Sequence, residues 1–196
     1  MTGHDHDHPH DPANDAVPDY FEVMEIAVRE LLVDRGLIGP GEIRRQIEVL
    51  DSRTEMLGAS VVARAWTDPA FKQRLLENGR SACEELGITF YDDTGLIVLE
   101  NTARIHNLIV CTLCSCYPRP VLGLPPDWYK QKPYRARAVI EPRAVLAEFG
   151  TAIPDEVDIR VSDSTAMVHF LILPQQPVET AGWGLENCGN LSRTTP

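Results

Sequence analysis

Apolar residues recur at helical spacing over the first third of the chain. Phe21, Met24, Val28, Leu31 and Leu32 fall on one stripe. Asp19 stands just before it, with Glu22 three residues on, the pattern of a capping box. Gly36 marks the helix end and Gly39-Pro40-Gly41 a turn. Ile43, Ile47 and Leu50 predict a second helix over about 42–53, and a third is expected over about 59–66. At Thr67-Asp68-Pro69 the chain restarts, with Asp as cap and Pro in the first turn, and Phe71, Leu75 and Leu76 carry that helix toward Gly79. These short amphipathic helices suit either a small core or an arm laid on a partner. Trp66 and Phe71 are expected in the core or an interface.

After Gly87 the period changes. Residues 88–91 are strand-like, Asp92-Asp-Thr-Gly95 reads as a turn, and 96–99 is an apolar β run. Leu108-Ile-Val110 leads directly into a cysteine cluster, so the cysteines sit on a loop leaving a strand. Pro118, Pro120, Pro125 and Pro126 stiffen the segment beyond the cluster by fixing φ. Glu141-Pro142 opens a helix to Phe149, Val157, Ile159 and Val161 alternate in a strand, and 168–173 makes another. The fold class expected is α+β, with a His/Asp-rich disordered tail at 1–18, a helical arm at 19–86 and a metal-binding catalytic domain at 87–196.

Composition narrows the function. Of the 196 residues, 43% are hydrophobic and 24% charged, ordinary for a globular protein, and the net charge is −11. An acidic surface repels phosphate, so neither nucleic acid nor an anionic membrane is the expected partner. No apolar run approaches a membrane span and no apolar leader is seen, so the expected location is the cytoplasm. The tail His4-Asp-His-Asp-His-Pro-His10 could bind a divalent metal loosely, but a solubilising tail is favoured. Cys83 is expected as a small buried hydrophobe. His106 and His169 are expected as hydrogen-bonded residues of β segments, and Asp92-Asp93 as a solvated turn.

The chemistry concentrates in Cys111-Thr-Leu-Cys-Ser-Cys116, three of the five cysteines. Thiolates are soft ligands, and C-x-x-C-x-C is a dense metal signal without the second pair of a structural zinc site. If the amides of Ser115 and Cys116 lose their protons, the backbone also chelates. Cys114 sulfur with Ser115 nitrogen closes a six-membered ring, the nitrogens of Ser115 and Cys116 close a five-membered ring, and Cys116 nitrogen with its own sulfur closes another. Cys111 caps that plane of two nitrogens and two sulfurs, leaving one position open. Amide deprotonation calls for a strongly Lewis-acidic trivalent ion. A non-catalytic zinc or redox module is the reading from a different class. No Ser-His-Asp order or Gly-rich phosphate loop stands out.

This motif, with Pro120-Val-Leu-Gly-Leu-Pro-Pro-Asp-Trp-Tyr-Lys130, Tyr134-Arg-Ala-Arg137, Glu141-Pro-Arg143, Val145-Leu-Ala-Glu-Phe-Gly150 and Ile159-Arg-Val-Ser-Asp163, resembles the α subunits of nitrile hydratases and the related γ subunit of thiocyanate hydrolase. The resemblance covers about residues 20–183. It implies a helical arm followed by a layered α-β-β-α catalytic domain. It also implies a non-corrin Co(III) held by Cys111, Cys114, Ser115 and Cys116, with iron disfavoured because Thr112 matches the cobalt members. Cys114 would be a sulfinate and Cys116 a sulfenate that, with Ser115, does the chemistry on a small-molecule nitrile. Non-identical β-type subunits would complete the enzyme. Arg119 stands where many cobalt members carry Trp. In this it is similar to toyocamycin-type nitrile hydratases and to thiocyanate hydrolase, and a planar donor there implies a bulky polar nitrile such as the nucleoside toyocamycin. The end after Trp183 departs from the family, whose α subunits continue into a further helix.

Overall fold

The computed structural model describes residues 19–114 and 116–180. The His/Asp-rich tail, Ser115, Trp183 and Cys188 lie outside the described residues. The chain forms two units, one ending at Glu48 and one beginning at Val49.

In the first unit, α1 (Tyr20–Asp34) starts as its sequence dictates. Asp19 Oδ1 accepts the N–H groups of Phe21 at 2.7 Å and Glu22 at 2.9 Å, and Glu22 Oε2 accepts the N–H of Asp19 at 2.9 Å. Gly36 follows at φ +66°, where the chain leaves the helix. No residue of α1 is buried, and the stripe of Phe21, Met24, Val28 and Leu31 is exposed in the chain by itself. The next helix, α2, runs Glu42–Asp51.

The second unit opens with α3 (Glu55–Thr67), α4 (Pro69–Glu77) and α5 (Gly79–Glu85). α3 starts four residues before the expected 59, so Gly58 lies inside it. Gly58 is a contact residue: a Cβ there would lie 2.4 Å from Leu122 Cδ2. Asp68 caps α4 as expected, its Oδ1 accepting from Ala70 and Phe71 at 3.0 Å each. Gly79 is not an end but the start of α5, capped by the Asn78 side chain on the N–H of Ser81 at 3.0 Å. It is glycine because the helix presses on a strand: a Cβ would meet Leu96 O at 2.6 Å.

Among the described residues, four strands pair in parallel rather than forming a meander. In one sheet β1 (Gly95–Glu100) pairs with β4 (Val168–Leu173), and in the other β2 (Ile105–Val110) pairs with β3 (Asp158–Asp163), both in parallel. Parallel pairing needs long crossovers. The one from β2 to β3 carries α6 (Arg119–Leu122), α7 (Asp127–Lys130), α8 (Lys132–Ile140) and α9 (Pro142–Glu148). The expected strand at 88–91 does not form. Its first backbone N–H is used at the end of α5, Ile88 donating to Cys83 O at 3.2 Å, so no ladder begins there.

Two cores give the layers. Val61, Ala65, Phe71, Leu75 and Cys83 pack with Leu96, Val98, Leu171 and Leu173. Leu108 and Val110 pack with Tyr129, Tyr134, Ala138, Val145 and Leu146. The order is therefore helices, first sheet, second sheet, helices, the α+β, α-β-β-α arrangement. Within the segment expected as an arm, 19–86, α3, α4 and α5 bury apolar residues against the first sheet. Cys83 is buried in that core, with its thiol pushed up to about 12, chiefly by burial. No helix among the described residues is long and apolar enough to cross a membrane.

Candidate metal centre

The cysteine loop begins where the second sheet ends. Val110 is the last residue of β2, and its carbonyl accepts the N–H of Ser164 at 2.7 Å. One residue further, a side chain takes the place of a backbone partner. Asp163 accepts the N–H of Thr112 at 2.9 Å and its hydroxyl at 2.5 Å. This turns the chain out of the sheet and aims the next residues back over Cys111.

Three sulfurs then converge. Cys111 Sγ and Cys114 Sγ are 3.3 Å apart, and Cys114 Sγ and Cys116 Sγ are 3.0 Å apart, with the set within 4.8 Å of one another. Cys111 is fully buried, Cys116 partly so, and Cys114 exposed, so the cluster has a floor and a mouth. The N–H of Cys114 points to Cys111 Sγ at 3.2 Å. Loss of water pushes the Cys116 thiol up to about 12, with the crowding of Cys114 and Cys111 adding to it. Three thiolates this close repel unless a cation sits among them, and soft sulfur donors suit a transition metal. The donor set therefore fits a resident metal ion.

A rigid support lies behind the loop. The Tyr129 hydroxyl donates to Cys116 O at 2.9 Å, Arg135 Nη1 donates to Cys114 O at 2.9 Å, and the Tyr134 hydroxyl donates to Ile109 O at 2.7 Å. Tyr129 and Tyr134 are neighbours in one aromatic cluster, ring centroids 5.9 Å apart, and burial pushes both phenols up, Tyr134 to about 12. They stay protonated and serve as hydrogen-bond donors to the loop backbone.

Cys114 and Cys116 open onto a cavity of about 470 Å³. Arg119, at the start of α6, lines this cavity as well, as do Tyr91, Asp92 and His169. Burial lowers the His169 pKa, Asp92 opposes that shift and Arg119 reinforces it. The Asp92 carboxyl is held low chiefly by its hydrogen bond from the Thr94 N–H at 3.0 Å.

The three cysteines expected as ligands are thus brought together, and Arg119 shares their cavity, while Ser115 is outside the described residues. Sequence reading missed Asp163, Tyr129 and Arg135, which hold the loop. All three lay inside the motifs already singled out, but spacing carries no signal for backbone contacts across 13 to 51 residues of chain. It also missed that Asp92 and His169 reach the metal-site cavity rather than only solvent or a strand.

Residues 19–194 match the family model for the nitrile hydratase α chain. The low-molecular-weight cobalt-containing nitrile hydratase subunit alpha of Rhodococcus rhodochrous is 48% identical over 186 residues, covering 93% of this chain and 90% of that one. Among solved structures, a thiocyanate hydrolase variant superposes with a TM-score of 0.80 at 36% identity, and an Fe-type nitrile hydratase variant from Comamonas testosteroni Ni1 with 0.76 at 40%. Each comparison covers 89% of this chain and 86% of the other.

Proposed function

The chain belongs to the nitrile hydratase α-chain family, and we propose that it is the catalytic subunit of a cobalt enzyme that hydrates R–CN to R–CONH2. The observation that carries this is the set of three sulfurs within 4.8 Å of one another at the edge of a cavity. Cobalt is favoured over iron by the cobalt-containing relative and by Thr112, although an iron-type structure is also similar.

In this reading Cys111, Cys114 and Cys116 would hold the ion through sulfur, with the amide nitrogens of Ser115 and Cys116 as further ligands. Bound Co(III) supplies Lewis acidity beside the cavity. Cys114 would carry two oxygens as a sulfinate, tuning the site, and Cys116 one as a sulfenate. That oxygen would take the proton from water or attack the nitrile carbon, with Ser115 to orient it. Asp163, Tyr129 and Arg135 keep the loop from relaxing as charge shifts across the sulfurs. Arg119 lends the cavity a planar donor for a bulky polar nitrile, such as a nucleoside nitrile of the toyocamycin kind.

A β-type subunit is expected to cover the exposed stripe of α1 and to donate hydrogen bonds to the oxidised sulfurs. Assembly in the cytoplasm, where thiols are kept reduced, suits a site built on thiolate ligands. The second reading is a thiocyanate hydrolase γ-type subunit, favoured by Arg119, which could equally hold an anion. The deciding experiment expresses the chain with its partner and cobalt, measures metal content, and assays amide formation against thiocyanate loss. Cys111→Ser, Cys114→Ser and Cys116→Ser should each lose cobalt or turnover. A variant that keeps both in full removes its residue from the site.

A further inference from the structure

Resting on the nitrile hydratase reading, we propose that His169 is a specificity-determining residue, which with Asp92 and Arg119 forms a hydrogen-bonding wall for the part of the substrate remote from the nitrile carbon. The three groups come from separate segments: Asp92 from the loop before β1, Arg119 from the start of α6 and His169 from β4. All three line the cavity onto which Cys114 and Cys116 open.

Their placement is fixed by the fold. His169 is paired in register with Leu96 of β1, and Leu96 lines the same cavity, so the strand that carries the imidazole cannot slip without breaking a parallel ladder. The turn that carries Asp92 is clamped. The N–H of Thr94 donates to Asp92 Oδ1 at 3.0 Å, while Arg80 Nη1 donates to the carbonyls of Asp92 at 2.5 Å and Thr94 at 3.3 Å. Arg80 is itself held by Glu84 and lies over the Phe90 ring. The turn is exposed, as the sequence leads one to expect, and these contacts order it.

The chemistry of the wall selects a class of ligand. An imidazole kept neutral by burial offers one donor and one acceptor. Asp92 offers acceptors and Arg119 donors. The complementary substrate carries donors and acceptors together, away from the nitrile, as an amino-substituted heteroaromatic ring or a sugar does. A short alkyl nitrile has nothing to bring to it, and thiocyanate, a small anion, could engage Arg119 but not the three groups together. The cavity, about 470 Å³, falls in the range of sites that enclose whole organic ligands, about 300–1,000 Å³.

The test uses the cobalt-loaded complex with its partner subunit. The ratio of kcat/KM for an aminopyrrolopyrimidine nucleoside nitrile to that for propionitrile is measured in the unmodified enzyme, His169→Phe and His169→Gln. The Kd of the nucleoside amide product is measured by calorimetry in parallel. His169→Phe should lower the ratio and weaken amide binding by about tenfold, and His169→Gln, which keeps a donor and an acceptor, should recover most of both. An unchanged ratio with His169→Phe overturns the proposal, and so does a loss with His169→Gln as large as with His169→Phe. If His169→Phe does not assemble, Asp92→Asn carries the same test, with a smaller fall in the same ratio expected. Amide binding that depends on His169 in a complex hydrating no nitrile would defeat the nitrile hydratase reading and leave the wall standing. Propionitrile hydration with an immovable ratio would do the reverse.

Discussion

Asp163 closes the cysteine loop onto the end of β2 by accepting both the N–H of Thr112, at 2.9 Å, and its hydroxyl, at 2.5 Å. Asp163 is paired with Val110 as the last rung of the β2–β3 ladder, so its side chain continues the sheet where the backbone departs. Residues that orient metal ligands from behind typically contribute about 10–100-fold in metal affinity. Asp163→Ala should therefore release cobalt on dialysis at about 10–100-fold lower chelator concentration. The fold should persist, because the carboxylate is exposed. Thr112→Ser, which keeps both donors, should behave like the unmodified chain. Full cobalt retention by Asp163→Ala would show that the loop holds its shape without this contact.

Oxidation is predicted to be confined to the mouth of the cluster. Cys111 is buried at the floor, whereas Cys114 is exposed and Cys116 is partly so. Oxygen should therefore reach the outer two sulfurs and spare the inner one. Peptide mass spectrometry of the cobalt-loaded complex should find two added oxygens on Cys114 and one on Cys116. Protein prepared without cobalt should show three thiols. Active enzyme with three unmodified thiols would defeat the sulfenate chemistry.

The parts of this molecule that were legible in its sequence are those governed by local rules. The capping box of Asp19 and Glu22, the Asp68 cap and the alternation of Ile159 and Val161 each depend on neighbours a few residues apart. So does the cysteine cluster. What was hidden depends on approach between distant segments. Gly79 reads as a stop because glycine ends helices, and only the nearness of Leu96 O at 2.6 Å explains why it starts one. Ile88 reads as a strand residue because it is β-branched, yet its N–H is already committed to the end of α5. Asp92 and His169 looked ordinary apart, since nothing local says that β4 lies beside β1 and faces the loop before it.

A pH dependence is expected from His106. Asn101 Oδ1 accepts the N–H of Asn107 at 2.8 Å, which fixes the orientation of the Asn101 amide and turns its nitrogen toward His106 Nδ1, 3.4 Å away. His106 Nδ1 must then be an acceptor, so the imidazole is neutral there. Burial lowers its pKa from the ordinary 6.5. A group depressed on folding takes up its proton more readily in the unfolded chain. Stability is thus fully present above about pH 6.5 and declines as the pH falls below it. His106 is largely solvent-screened, so the effect is small, about 1–3 °C in Tm between pH 7.5 and 5.5. His106→Gln should remove that part of the decline. His169, also lowered by burial, contributes its own share and serves as the internal comparison. Identical acid declines in the unmodified chain and His106→Gln would rule out this contact as the cause.

Substrate choice is predicted to turn on Arg119. It lies three residues after Cys116, and both line the same cavity. Tryptophan at this position would present a flat apolar face, suited to stacking a small alkyl or aryl nitrile. The guanidinium instead donates in its plane to ring nitrogens or hydroxyls, and it stacks on a heteroaromatic ring as a cation. Arg119 is exposed in the chain alone, so its full effect is expected in the complex, where the partner excludes water. Losing one such charged hydrogen bond costs about 1.5 kcal/mol or more, roughly tenfold in kcat/KM. Arg119→Trp should accordingly lower kcat/KM for a nucleoside nitrile by at least that factor while improving the relative rate for an alkyl nitrile. Equal effects on the two substrates would show that Arg119 does not select between them. Thiocyanate consumption that outruns nitrile hydration in the unmodified complex, and collapses in Arg119→Trp, would instead assign Arg119 to an anion and the chain to the thiocyanate hydrolase reading.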